Sequence, residues 1–160
     1  MKAWKVVVGS DHAGLELKER VKRFLKAQGC VVEDVGTHRA ASCDYPDYAA
    51  AAARRVAAGA CERGVLVCGT GAGVSLAANK VRGIRAVPCS SEYVAEMARR
   101  HNDANVLCLG GRVVGAGVAE ALVRRFLETE FEGGRHARRV AKIEALERRS
   151  GAGGRKAGRA

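Results

Sequence analysis

Five short apolar runs, each ended by a glycine or a proline, constrain the fold of this chain more than any other feature. They lie near residues 5–8, 31–35, 65–68, 84–87 and 106–109, and segments with apolar residues at helical spacing lie between them. Continuous apolar runs indicate strands buried on both faces, and strands that alternate with helices indicate right-handed βαβ units. The pattern predicts an α/β protein, a three-layer α/β/α sandwich around a five-stranded parallel sheet with the strand order 2-1-3-4-5.

The length of 160 residues fits one domain with a short appendage. We expect residues 1–147 to form that domain and residues 148–160, a basic glycine-rich segment, to form a disordered tail. No apolar run approaches the roughly 20 residues that cross a bilayer, and the apolar start after Lys2 is too short for a signal peptide. The six cysteines form no Cys-x-x-Cys pair, so we expect a cytoplasmic protein with reduced thiols and no membrane contact.

The net charge of +11 indicates an anionic ligand, because the tail supplies only five of these charges. Nucleic acid and a phosphorylated small molecule are the two candidates. Aromatic residues make up 4% of the chain, which provides few stacking platforms, and we therefore expect no nucleic-acid partner. The four histidines are scattered without the paired spacing of metal ligands, so neither a metal nor another cofactor is expected.

Two unusual segments follow the first and third strands, which flank the expected switch point where ligands bind. After the first strand, Asp11 and His12 place a carboxylate and an imidazole at the mouth of the crevice, although a helix cap with an incidental histidine fits equally well. After the third, the segment 68–75 is a glycine-rich turn that feeds a helix and exposes amide groups. It matches neither the dinucleotide fingerprint nor a Walker loop, and so suits a smaller oxyanion such as an enediolate. Cys68 at its entrance is predicted to have a lowered pKa and to act as a base or nucleophile, with a buried structural cysteine as the alternative.

Two further segments carry polar groups outside that edge. The segment 100–105 precedes the last strand, so His101 is expected on the opposite edge of the sheet from Cys68. If these two residues act together, His101 must come from another subunit, and the protein is an obligate oligomer. Arg135 and Arg139 share one helical face and match a phosphate dianion, and Arg112 is a further candidate. The alternatives are a solvated turn and a solvated basic face.

Taken in order along the chain, these segments resemble the ribose-5-phosphate isomerase B family, which includes the galactose-6-phosphate isomerase subunits. The resemblance covers about residues 5–147 and excludes the tail. It is carried by eight stretches, which are Ser10–Gly14, Asp44–Pro46, Cys68–Gly71, Ala77–Lys80, Gly83–Ala86, Arg100–Asn105, Gly110–Gly115 and Phe131–His136.

The resemblance implies a metal-free aldose–ketose isomerase of the pentose phosphate pathway that interconverts ribose 5-phosphate and ribulose 5-phosphate through a cis-enediolate. It makes Cys68 the base, since members without this cysteine carry a glutamate where this chain has Val74. It implies that Thr70 and the turn with Gly69, Gly71 and Gly73 bind the enediolate. It also implies that His101 opens the sugar ring, aided by Asp11 or Asn102, and that Tyr45 lines the sugar site. The implied phosphate ligands are His12, Arg112, Arg135 and Arg139.

Three readings of function stay open beside this one. The first is an isomerase of a six-carbon aldose phosphate, such as allose or galactose 6-phosphate. The second is a non-catalytic regulator that binds sugar phosphates and needs Arg135 and Arg139 but not Cys68 or His101. The third, a nucleic-acid binder, depends on net charge alone. The expected assembly is a homodimer with shared active sites, or a dimer of two such dimers, with the C-terminal helix extending to the partner subunit.

Overall fold

The centre of the molecule is a parallel sheet of five strands. The computed structural model describes residues 2–153, with side chains described through residue 148. The sheet has the order β2-β1-β3-β5-β4. Its strands are β1 (Lys5–Ser10), β2 (Val31–Asp34), β3 (Arg63–Cys68), β4 (Ala86–Pro88) and β5 (Val106–Gly110).

Helices cover both faces of this sheet, so the expected three-layer α/β/α sandwich is confirmed. The helices are α1 (Leu15–Ala27), α2 (Tyr45–Ala57), α3 (Ala72–Ala78), α4 (Glu92–Asn102), α5 (Ala116–Glu128) and α6 (Gly134–Gly153), with a short 3-10 turn at His12–Gly14. Strand side chains alternate between the layers. Val6 and Val8 pack in the cluster formed with α1, α4 and α5, whereas Val7 packs with α2 and α3. None of the helices in residues 2–153 is long and apolar enough to span a membrane.

The predicted order of the last two strands is wrong, because β5 pairs with β3 and β4 lies at the edge. Every residue of β5 is buried, which suits a strand that is paired on both sides. In contrast, β4 has only three residues and ends at Pro88, which lacks a backbone donor and is tolerated at an edge. The side chain of Asn79 completes this free edge, since it accepts from the Ala86 N–H and donates to the Ala86 carbonyl oxygen, both at 2.8 Å.

The C-terminal helix α6 begins on its own chain. His136 and Val140 are buried, and this half of the helix packs against α4, whereas Ile143 and Leu146 are exposed. The helix continues to Gly153, so the backbone of residues 148–153 is helical rather than disordered. The remainder of the predicted tail, residues 154–160, lies outside the described residues.

Candidate active site

A cleft of about 350 Å³ opens where β1 and β3 end side by side. The two strands are neighbours, as predicted, and their carboxyl ends bring the two unusual segments together. Nine residues line the cleft, which are Asp11, His12, Ala13, Tyr45, Cys68, Gly69, Thr70, Gly73 and Arg112. Seven of the residues predicted for catalysis or substrate binding therefore meet here with Cys68.

Cys68 is the last residue of β3, and its sulfur receives a hydrogen bond. The Gly71 N–H donates to Cys68 Sγ at 3.2 Å. Gly71 makes this contact with a φ of +82°, in the left-handed region, and a Cβ there would lie 3.1 Å from the Leu109 carbonyl carbon. The residue is only 4% exposed, so the expectation of a buried cysteine and that of a cysteine in the cleft are both met.

The glycine-rich turn offers fewer backbone amides to an anion than its sequence indicates. The Gly71 amide is directed at sulfur, and the Ala72 N–H donates to Thr70 Oγ1 at 3.4 Å. An oxyanion at this turn would therefore be bound by the other amides of the turn and by the Thr70 hydroxyl. The Tyr45 ring packs directly against Gly73, where a Cβ would lie 2.8 Å from the ring, so this glycine sets the width of the cleft.

The segment after β1 combines a cap with an oriented histidine. Asp11 Oδ1 accepts from the Gly14 N–H at 3.0 Å, so the capping interpretation holds for this oxygen. His12 Nδ1 accepts from the Cys43 N–H at 3.2 Å. Because Nδ1 is an acceptor in this contact, the ring N–H lies on Nε2, where it can donate to a ligand. The Cys43 amide is a positioning group that the sequence did not reveal.

Arg112 is fixed to the same turn from the β5 side. Its backbone N–H donates to the Gly69 carbonyl oxygen at 3.0 Å. Its guanidinium covers Gly69, where Nη1 would lie 3.5 Å from an added Cβ. The cleft thereby gains a cation beside the amides of the turn.

Five of the predicted residues do not line the cleft, which are Gly71, His101, Asn102, Arg135 and Arg139. Gly71 belongs to the turn beside the cleft, whereas the segment of His101 and Asn102 lies at the opposite edge of the sheet. The Gly64 N–H at the start of β3 donates to the Asn105 carbonyl oxygen, whereas Cys68 at the end of β3 pairs with Gly110. Four residues of strand separate these points, about 13 Å. A single chain therefore keeps His101 apart from Cys68, as the topology predicted.

At that opposite edge, His101, Glu132 and His136 form what we call the histidine–glutamate cluster. The two imidazole rings stack with centroids 4.2 Å apart and planes within 4°. Glu132 Oε2 lies 3.2 Å from His136 Nε2 and 3.6 Å from His101 Nε2. Arg135 Nε is 3.4 Å from the same nitrogen of His136. No role was predicted for Glu132 or His136. The only signal for them was the segment Phe131–His136, which carries part of the resemblance.

The charges around this cluster shift two pKa values. The hydrogen bond from Arg100 holds the pKa of the Glu132 carboxyl below its usual range, with help from the charges of both histidines. Burial lowers the pKa of His136, and the nearby His101 and Arg135 lower it further. The two shifts favour the carboxylate form of Glu132 and the neutral form of His136.

Part of the polar segment 100–105 has a structural role, which agrees with the alternative interpretation of this segment as a turn. Asp103 ends α4 in the left-handed region at φ +46° and pairs with Arg85 and Arg99. Asn105 Oδ1 accepts from the Arg85 N–H, and its Nδ2 donates to the Gly83 carbonyl oxygen. These residues fix the connection from α4 to β5.

In the part of the chain that the structure describes, two groups of side chains bring three possible metal ligands within 4.8 Å of one another. In the histidine–glutamate cluster the rings are parallel, so their in-plane lone pairs do not converge on one point. The other group contains Glu19, Asp34 and His38. There the ammonium groups of Lys18 and Lys22 lie 2.7–3.0 Å from the carboxylate oxygens.

A thiol and an amide-rich turn at the switch point of a parallel sheet define a class, the doubly wound α/β proteins that take a small anionic ligand beyond the strand ends. The chain belongs to the family described as Ribose/Galactose Isomerase, whose model matches residues 6–143. The comparisons confirm the predicted family and the predicted enzyme class, an isomerase.

Three relatives illustrate this membership. Ribose-5-phosphate isomerase B of Escherichia coli (strain K12) is 48% identical over 145 residues, which cover 91% of this chain and 97% of the relative. The structure of ribose-5-phosphate isomerase B from Clostridium thermocellum matches with a TM-score of 0.90 and 51% identity, covering 91% of this chain and 99% of the other. D-erythrulose-4-phosphate isomerase 2 of Mycolicibacterium smegmatis is 47% identical over 133 residues, 81% of this chain and 88% of the relative.

Proposed function

We propose that this protein interconverts ribose 5-phosphate and ribulose 5-phosphate through a cis-enediolate, with Cys68 as the base. The observation that carries the proposal is the sulfur of Cys68 in the cleft, hydrogen-bonded to the Gly71 amide. The thiolate of a cysteine is the form that accepts a proton. The family membership supports the reaction class, and relatives named ribose-5-phosphate isomerase B support the pentose phosphate as substrate.

The chemistry moves one proton between two carbons. The thiolate removes the proton at C2 of the open-chain aldose, the electron pair forms the C1–C2 double bond, and O1 takes the negative charge. A proton passes from the O2 hydroxyl to O1, and the proton on sulfur returns to C1 as the carbonyl forms at C2. Thr70 and the free amides of the turn are the donors for the charged oxygen, and such a donor typically contributes ~2.7–4 kcal/mol in the transition state.

The phosphate is assigned to groups from both edges of the sheet. The Nε2–H of His12 and the guanidinium of Arg112 line the cleft. Arg135 and Arg139 lie one turn apart on α6 and are exposed, and we assign them to the cleft of a second copy. The binding energy of a remote phosphate serves to orient the reacting carbons.

The assembly that follows is a homodimer with two shared sites, or a dimer of two such dimers. Each cleft takes Cys68 from one chain and His101, with Asn102, from the other, because one chain separates them by about 13 Å of strand. The exposed Ile143 and Leu146 on α6 support an extension of this helix to the partner subunit. We assign catalysis to residues 1–147, treat residues 148–160 as an appendage, and place the protein in the cytoplasm.

The choice of sugar has a second candidate, a four-carbon substrate, because a relative at 47% identity is named D-erythrulose-4-phosphate isomerase 2. The six-carbon aldose phosphates remain the third. The values of kcat/KM for four-, five- and six-carbon aldose phosphates separate these possibilities. A preference for a substrate other than ribose 5-phosphate would correct the sugar and leave the chemistry at Cys68 in place.

The test of the chemistry is exchange of solvent deuterium into C1 of ribulose 5-phosphate. Cys68→Ala should abolish this exchange and isomerisation together, while the fold and phosphate binding persist, because one small buried side chain replaces another. Exchange at the wild-type rate in this variant would reject Cys68 as the base. A non-catalytic regulator would show no exchange even as the wild type.

A further inference from the structure

One carboxylate faces both imidazole rings at the amino edge of the sheet. Glu132 Oε2 lies 3.2 Å from His136 Nε2 and 3.6 Å from His101 Nε2. The two rings are stacked with planes within 4°, and the Nε2 atom of each ring lies on the side of this oxygen. His136 is buried and His101 is about one-third exposed, so the buried ring backs the accessible one.

The carboxylate is itself held to the helix that carries His101. The Glu132 N–H donates to the Arg100 carbonyl oxygen at 3.0 Å, and Glu132 Oε1 accepts from the Arg100 guanidinium. Glu96, one turn earlier on α4, pairs with the same guanidinium at 3.2 Å. Position and charge of the Glu132 carboxylate are thus both fixed relative to the last turn of α4.

We propose that Glu132 is a positioning residue for sugar-ring opening, which holds the His101–His136 pair with Nε2 toward its carboxylate and leaves Nδ1 of His101 for the substrate. This inference rests on the proposed function. At 3.6 Å the contact with His101 is longer than a hydrogen bond, so the orientation comes through the stack on His136. Glu132 is nearer to His136 Nε2 than Arg135 is, and an anionic acceptor keeps the proton on that nitrogen.

The step that needs this orientation precedes the isomerisation. In the furanose form, the C1–O4 bond breaks, its electron pair goes to O4, and O4 gains a proton. The anomeric hydroxyl loses its proton as O1 becomes the carbonyl oxygen. An imidazole that takes the proton from O1 and delivers one to O4 ends in its starting state, provided that one ring nitrogen faces the sugar. A carboxylate behind the ring fixes which nitrogen that is.

The test uses a chemical difference between the two sugars. Ribose 5-phosphate closes a furanose ring through its C4 hydroxyl. Ribulose 5-phosphate cannot close one, because its C5 oxygen carries the phosphate. Ring opening is therefore required for net turnover of ribose 5-phosphate, but not for exchange of solvent deuterium into C1 of ribulose 5-phosphate. A residue that acts only in ring opening affects the first reaction and spares the second.

Glu132→Gln removes the charge and keeps the shape. We expect its turnover of ribose 5-phosphate to fall tenfold or more, roughly the loss seen when the partner that orients a histidine is removed. Deuterium exchange into ribulose 5-phosphate should stay within about twofold of wild type. Glu132→Asp retains the charge and should recover part of the turnover, and it serves as the second variant if Glu132→Gln does not fold.

Glu96→Gln is the matched control, because it removes the other carboxylate on Arg100 without touching either histidine. It should leave both reactions unchanged. Equal losses of turnover and exchange in Glu132→Gln would overturn the positioning role and indicate a general effect on binding or folding. A failure of the proposed function would give a different result. Deuterium exchange would then persist in Cys68→Ala, independently of the results for the Glu132 variants.

Discussion

The two edges of the sheet are built by different means. At the carboxyl edge, the cleft is formed by strand ends and by backbone groups of tight turns, with the Gly71 amide on the sulfur of Cys68 and the Cys43 amide on His12. At the amino edge, the histidine–glutamate cluster is formed by charged side chains, with Glu132 linked to Arg100 and to two rings. The first arrangement depends on backbone geometry and the second on charge.

Under the proposed function, each edge holds only part of the active site. The cleft holds the thiol and the anion donors, whereas the proposed ring-opening residue His101 lies at the other edge. The cluster has an oriented imidazole and two exposed arginines, Arg135 and Arg139, but no base aimed at a carbon atom. In the proposed homodimer, a two-fold axis that joins the carboxyl edge of one copy to the amino edge of another would make two complete sites.

The largest effect expected from this comparison is a complementation between inactive variants. Cys68→Ala and His101→Ala should each be inactive alone. After random subunit exchange about half of the dimers are mixed, and each mixed dimer has one intact site of two. Activity should then recover to roughly a quarter of wild type, measured as turnover of ribose 5-phosphate. No recovery despite verified exchange of subunits would place both residues in one site of one chain and break the comparison.

A smaller effect is expected from the arginines of the amino edge. Arg139→Ala should raise KM about 10- to 100-fold with little change in kcat, because a charged hydrogen bond contributes ~1.5–3 kcal/mol and the phosphate is bound in ground and transition states alike. Steady-state kinetics provide the measurement. Arg138→Ala, also exposed on the same turn of α6, is the control and should leave KM unchanged. A loss in kcat alone would assign Arg139 to the chemistry instead of the phosphate.

The smallest effect sharpens the claim that backbone geometry builds the cleft. Gly71→Ala should lower the free energy of unfolding by ~1–2 kcal/mol, because a side chain in the left-handed region is strained. It should also reduce turnover by displacing the amide that contacts Cys68. Gly117→Ala is the matched control, since an added Cβ meets nothing within 4 Å on α5 and should be neutral or stabilising. Equal denaturant midpoints for the two variants would show that the turn tolerates a side chain.

Most of the fold could be predicted from the local sequence pattern. The one error of that prediction, the order of the last two strands, has a local cause. The apolar runs identified all five strands, and the glycines that follow Cys68 identified the turn. The common strand order of doubly wound folds does not predict the pairing of β5 with β3. Here β4 has only three residues and contains Pro88, so it is too weak for an interior position in the sheet. The separation of His101 from Cys68 survived this error, because it depends on which end of a parallel strand each residue follows.

The sequence by itself determined which residues are buried in strands and which polar groups follow them, since periodicity along the chain reports burial directly. That was sufficient to predict that Asp11, His12 and Cys68 meet at one edge. Only the tertiary structure decided that Glu132 faces His101 and His136, and that the Cys43 amide reaches His12. The contacts of Glu132 with His101 and of the Cys43 amide with His12 join residues about 30 positions apart. The packing of loops and helix ends in space selects these partners, and no local period records it.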